Sequence, residues 1–306
     1  MKYTNPIVLL DLPDPFSPSI ITPSFLRQEK KRLLAEFELE EATVIEVGDR
    51  EMDKDGVLSL FEELENDELR QHHLRIFMEP GLMEFLEDAS LEYFYNGGIS
   101  KLPAHSDEFL TFIGPYFAQS FNARLFNAFR QKDFEEVEAM CRYSLPLSAI
   151  HKAVGYQDTY RQLHADIKDL ENYAEDLQQG HQPDGRIQEF GDELMIDTLN
   201  KLPEYFKSSL DSYALGLESL AINIYNDHQR VQLSIFLLRQ ALKLNISPDT
   251  RLRLQDLLNQ ILEQNPVAGP MSELAGSLGK SKKGNRWKVW LTAGILVTLL
   301  LKVILG

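Results

Sequence analysis

The chain has little of what marks a secreted, catalytic or nucleic-acid-binding protein. Cysteine occurs once, at Cys141, which excludes an internal disulfide framework and fits a reducing compartment. It lies in Glu138-Ala-Met-Cys-Arg-Tyr143, inside an amphipathic helical pattern, and reads as a buried structural thiol and not as a nucleophile. No charged-then-apolar segment opens the chain, so no secretory signal peptide is expected. There is no glycine-rich phosphate loop after a strand, no Gly-x-Ser-x-Gly elbow and no cysteine pair. The seven histidines follow no ligand spacing. His72 and His73 are adjacent and so point to different sides of a helix, whereas helical zinc pairs need three- or four-residue spacing. His105, His151, His164, His181 and His228 are scattered. No enzymatic activity and no cofactor are expected.

Basic charge is also scarce, with 31 Lys and Arg against 47 Asp and Glu. Six of the basic residues lie in 280–306, which has no acidic residue; the head is left with 25 against 47, a net of -22. Such a head repels nucleic acid and anionic lipid, and the end of the chain does the opposite.

Apolar runs are short except at that end. Trp290 to Leu301 is uncharged, and Lys302-Val-Ile-Leu-Gly306 continues it. Counted from Trp287, this is about 30 Å of helix at ~1.5 Å per residue, enough to cross a bilayer. Lys302 can snorkel to the far headgroups. Trp287 and Trp290 sit where an interfacial belt belongs, beside Lys282, Lys283, Arg286 and Lys288. These seven residues are the expected membrane interface. The positive-inside tendency places the head in the cytosol and makes 287–306 a C-terminal, post-translationally inserted anchor. Residues 265–286, rich in Gly, Pro, Ser and Lys, read as a flexible basic linker.

The head reads as mainly α, a helical bundle or short helical-repeat array with a small hairpin near 43–52. Three regions are expected: 1–80 with the β insertion, 81–178, and 186–264, with the polar stretch 178–185 as the internal boundary. Thr22-Pro23 starts a helix, with Thr at the N-cap and Pro in the first turn. Further helices are expected over 82–95, 107–129, 134–143, 157–176, 187–202, 208–225, 229–244 and 248–264 from their apolar periodicity.

The most suggestive local pattern is Glu51-Met-Asp-Lys-Asp-Gly-Val-Leu-Ser-Leu-Phe-Glu62. It resembles an EF-hand loop, with Glu51, Asp53, Asp55 and Glu62 as calcium ligands and Gly56 at the turn. Glu51 stands where the family has Asp, and Val44-Ile-Glu-Val47 makes a poor entering helix. The blander reading is a hairpin followed by an Asp N-cap. A calcium-responsive membrane protein is therefore the alternative function.

Two further segments resemble known modules. The first eighty residues resemble a divergent J domain. Asn5-Pro-Ile-Val-Leu-Leu-Asp-Leu12 looks like its opening helix, Arg27-Gln-Glu-Lys-Lys-Arg-Leu-Leu-Ala-Glu-Phe37 like its basic second helix, and Phe61 to Arg70 like the end of its third. That resemblance implies a partner surface on Arg27, Lys30, Lys31 and Arg32. The family's His-Pro-Asp loop, which stimulates the chaperone ATPase, is replaced by Glu38-Leu-Glu40, so no stimulation is expected. Leu220 to Pro248 is similar to one tetratricopeptide unit, with Ala241 on its second helix and Pro248 closing it; Phe126 to Val137 carries a fainter version. The function expected from all this is a membrane-anchored protein-binding or scaffold module, with a protein partner and membrane lipid as its contacts. Its oligomeric state is not legible.

Overall fold

The structure, a computed structural model, describes residues 3–10, 12, 17–39, 43–47, 50–142, 145, 147–182 and 185–265. The described residues fall into two compact units, Met1–Gln162 with Lys201–Pro203, and Leu163–Asn200 with the part of Glu204–Gly306 that is described. The division runs through a helix, not through 178–185. The expected linker and anchor, with Lys282, Lys283, Arg286, Trp287, Lys288, Trp290 and Lys302, lie outside the described residues. Among the described residues no helix is long and apolar enough to cross a membrane.

In the first unit the chain opens with a 3-10 turn, Pro6–Leu9, capped by Asn5, whose side chain accepts from the Ile7 amide. Helix α1, Pro23–Leu39, starts where Thr22 Oγ1 accepts from Phe25 N at 3.2 Å. Strands β1, Val44–Val47, and β2, Arg50–Asp53, pair antiparallel with Val44 opposite Asp53. Helix α2, Lys54–Glu65, follows at once because Asp53 caps it, and α3, Asp67–Phe77, is capped by Asn66. Ile7, Leu26, Leu33, Phe37, Val57, Phe61 and Leu64 bury one shared core between these elements.

Pro80 does not merely end the preceding helix. It opens α4, Pro80–Asp88, at the one position where its missing N–H costs nothing. A single helix expected over 82–95 is divided, because Ala89 turns left-handed at φ 54° and caps α4. Two short helices follow, α5, Glu92–Tyr95, and α6, Gly98–Lys101. Then come α7, Asp107–Gln131, capped by Ser106, and α8, Phe134–Cys141, capped by Asp133. Phe85, Phe94, Phe117 and Phe121 are all buried and meet ring to ring, so an aromatic core joins α4, α5 and α7.

Cys141 ends α8, half-buried, and burial pushes its thiol up to about 12. Labelling at neutral pH with a colourimetric disulfide reagent should then be about 100-fold slower in the folded chain than in urea, since the thiolate is the reactive form. Equal rates in the two conditions would show that the thiol is a surface group.

Helix α9, Ala149–Gln178, begins eight residues earlier than its periodicity suggests and carries the boundary between the units. The second unit continues with α10, Arg186–Phe190, and α11, Glu193–Asn200, where one helix was expected over 187–202. Gly191 lies between them, with the Phe236 ring so close that a Cβ there would stand 2.7 Å from it. Helices α12, Lys207–His228, and α13, Val231–Lys243, form a hairpin in which Ser234 Oγ donates to the Ala221 carbonyl at 2.9 Å. Helix α14, Pro248–Gln264, closes against them and has the bounds read from the sequence. Its Arg253 meets the buried Glu218 carboxylate through two nitrogens, at 2.8 Å each. The mainly α class with one small hairpin is what the sequence pattern predicts.

Candidate functional site

Of the three groups of residues suggested by sequence, two have definite places. On α1, Lys30 Nζ sits 3.0 Å from Glu65 Oε1, and Arg32 reaches Glu29 at 2.9 Å and Glu36 at 2.7 Å. The Arg27 Nε donates to the Pro23 carbonyl at 3.1 Å, and Lys31 is exposed. Much of the basic charge on this helix is therefore already answered within the unit. In the acidic loop, Asp53 Oδ1 accepts from Gly56 N at 2.8 Å as the α2 cap, and Glu51 lies in β2. Glu51, Asp53, Asp55 and Glu62 do not converge; among the described residues no group of three or more His, Cys, Asp or Glu side chains is placed to hold a metal ion. A strand followed directly by a capped helix keeps these oxygens apart. The third group, the seven residues of the membrane interface, lies outside the described residues.

The two adjacent histidines of α3 do face different ways. His73 is buried: Tyr3 Oη lies 2.8 Å from its Nδ1, and Glu63 Oε2 lies 2.9 Å from its Nε2, off the direction of a straight N–H bond. His72 stacks on Phe112 at 4.9 Å between ring centres and lines a surface cavity. Burial is the largest influence on its imidazole and lowers its proton affinity.

That cavity, about 570 Å³, is walled by Pro18, Gln71, His72, Leu74, Arg75, Met78, Glu79 and Ser106. The Arg75 guanidinium lies over the Phe109 ring at 4.9 Å, a cation–π contact that holds it in place. A second recess of about 340 Å³ shares Glu79 and is otherwise lined from α4, α5 and α6, among them Glu84, Glu92, Tyr93, Asn96, Gly98 and Lys101. Glu79 is thus common to both walls.

Two buried polar groups stand beside this carboxylate. His105 Nε2 is 3.4 Å from Glu79 Oε1, while its Nδ1 has no partner among the described residues. The imidazole stacks on Phe109 at 4.8 Å, and burial, ahead of the opposing pull of Glu79, lowers its proton affinity. Tyr93 is 6% exposed; its hydroxyl has no partner among the described residues, and burial, then the Glu79 charge, raises its pKa. The phenol therefore stays protonated near neutral pH and keeps an acceptor lone pair available. A Cβ at Gly98 would stand 2.4 Å from the Tyr93 ring, so only glycine lets α6 approach this closely.

None of these residues was singled out by sequence. Glu79, Tyr93 and His105 come from separate segments and share no motif, and Asn96-Gly-Gly98 reads only as a turn. The one available signal is the Pro80-Gly81 helix start beside a carboxylate. Comparison with known proteins assigns no relative: no protein-family model, no curated protein and no solved structure matches the chain.

Proposed function

We propose that the protein is a helical binding or scaffold module, held to a membrane through 287–306, whose acidic cytosolic head engages a protein partner. The observation that carries this reading is the pair of recesses sharing Glu79, the first of them lined by Met78, which is 62% exposed; a second exposed apolar side chain, Tyr95, lies on α5. Concave, largely apolar walls that carry a few polar groups are what a partner's side chains need for anchoring. The tether is supported by the amino-acid sequence, with its uncharged run, its tryptophans and its basic collar. The excess of acidic residues favours a partner with a basic surface and disfavours nucleic acid. In a chaperone-associated setting, ATPase stimulation is outside this reading, because Glu38-Leu-Glu40 replaces the loop that performs it in J domains.

Photo-crosslinking supplies the test. A crosslinker placed at Met78 or Tyr95 of the full chain in intact cells should yield one dominant protein adduct in the membrane fraction. A crosslinker at the exposed Leu252 of α14 should not give that adduct. Identical adducts from all three positions, or none, would sink the reading.

A further inference from the structure

We propose that the junction of α3, the α4 cap and the start of α7 is an acid-sensitive latch, closed while His72 and His105 are neutral and loosened when they take up protons. The inference goes beyond the binding reading and does not depend on it.

The geometry that carries it centres on the Phe109 ring of α7, which is 0% exposed. His105 stacks on that ring at 4.8 Å between centres, His72 lies 5.7 Å from it, and the Arg75 guanidinium 4.9 Å from its centre. One buried ring thus gathers two imidazoles and a guanidinium. While the imidazoles are neutral, Arg75 is the one charge of the three. Protonation of both sets three cations around the same ring.

His105 is the critical member. Its side chain is only 7% exposed, its Nε2 lies 3.4 Å from Glu79 Oε1, and its Nδ1 has no partner among the described residues. A neutral imidazole tolerates this arrangement, because Nε2 can carry the proton and Nδ1 the bare lone pair. An imidazolium must donate from both nitrogens, and its Nδ1–H meets no acceptor among the described residues. A buried charge with an unanswered donor is costly. Water reaches it when the 3-10 turn Leu102–Ala104 and the first turn of α7 part from α3.

The surrounding charges have to be weighed. At His105, Glu79 favours the proton and Arg75 opposes it, but burial is the largest influence and the proton affinity falls. Glu79 is 36% exposed, so water screens its pull. The Tyr93 phenol is uncharged near neutral pH, and Lys101 is exposed at the end of α6. At His72 burial again comes first; Glu68 on α3 and Glu108 on α7 favour the proton, while His73 and Arg75 oppose it. His73 faces Glu63 and Tyr3, so a proton there meets a carboxylate, and it lies outside the latch. The fold therefore prefers both imidazoles neutral. Their contribution is complete above the unfolded value of about 6.5 and is lost as pH falls from there toward the lower folded values. Because His72, Arg75, Glu79 and Ser106 line the cavity of about 570 Å³, acid also reshapes that wall.

The experiment measures amide hydrogen exchange of the full chain in detergent micelles at pH 7.5 and pH 5.0, as protection factors that divide out the intrinsic pH dependence. One histidine that is neutral when closed and has the ordinary value when open shifts the opening equilibrium by at most about 30-fold between these pH values. Protection over 71–79 and 102–112 should fall about tenfold, and over α14 less than twofold. In His72→Gln/His105→Phe, which keeps a ring against Phe109 but cannot titrate, the local fall should vanish. Glu79→Gln alters a side chain that reaches solvent and supplies a variant independent of the buried ring. It removes the carboxylate that steadies the His105 imidazolium, so its acid-induced fall should be deeper than that of wild type. Unchanged protection at pH 5.0, an equal fall in α14, the same local fall in the histidine double variant, or a shallower one in Glu79→Gln would overturn the latch.

Discussion

Phe117→Ala should cost the chain about 4 kcal/mol, the largest loss expected from any single truncation in the first unit. Phe117 lies on α7, fully buried, with the Phe85 ring centre at 4.7 Å, Phe94 at 6.3 Å, Phe121 at 6.4 Å and Tyr93 at 6.5 Å. Removing the ring loses its transfer free energy and leaves a void that four rigid aromatic neighbours fill poorly. It also removes ring-to-ring contacts worth about 0.5–1.5 kcal/mol beyond area burial. Phe117→Leu keeps most of the volume and should cost less than half as much. Urea unfolding of the full chain in micelles, followed by circular dichroism, checks both. At ~2–4 °C per kcal/mol the alanine variant should melt about 10 °C lower. A loss under ~1 kcal/mol would mean that these rings are not a packed core.

The elements that were legible in the sequence are those in which local rules and burial agree. Helix α14 has its expected bounds because Ser247 caps it and Pro248 starts it. Helix α7 begins at Asp107 as expected, since Ser106 is a strong N-cap followed by acidic residues that suit the helix dipole. The hairpin Val44–Asp53 follows from its β-branched run. What was not legible depends on distant partners. Ala89 has no propensity for φ 54°, yet it ends α4 there. Likewise Gly191 marks a break only once Phe236 packs on it from α13. The candidate site is an extreme case. Glu79, Tyr93 and His105 become neighbours only after α4, α5 and the start of α7 have packed, and no local spacing encodes that. The EF-hand pattern shows the converse, since Asp53, Asp55, Gly56 and Glu62 follow the family's spacing while Asp53 Oδ1 is engaged as a helix cap. Composition can place oxygens in order along a chain without making them converge.

Asn5→Ala should cost about 3 kcal/mol, although it removes only a small amide near the start of the chain. Asn5 is 0% exposed and engaged through every polar group it presents to the interior. Its Oδ1 accepts from Ile7 N at 3.1 Å, its Nδ2 donates to the His73 carbonyl at 3.0 Å, and its backbone N–H donates to Glu87 Oε1 at 3.0 Å. These bonds fasten the first described residues to α3 and α4, alongside the buried Tyr3–His73 contact. Truncation leaves the buried Ile7 amide without its partner, at roughly 1–3 kcal/mol, and takes from the His73 carbonyl the donor it has besides its own helix. Asn5→Asp separates cap from clasp. It keeps an acceptor for Ile7 N, but at neutral pH it sets a carboxylate oxygen against the His73 carbonyl in a site without solvent. That variant should be at least as damaged as the alanine at pH 7, and burial should raise the carboxyl's folded-state pKa above its unfolded value of about 3.9. The sign follows from that direction: the protonated acid can donate to the His73 carbonyl, so the variant is strongest below its unfolded pKa and weakens as pH rises through the folded one. Urea midpoints at pH 4.5 and pH 7, each referred to wild type at the same pH, measure this directly. The deficit of Asn5→Asp should shrink on acidification while that of Asn5→Ala stays nearly level. Parallel behaviour of the two variants would mean that the Asn5 amide does not clasp the His73 carbonyl.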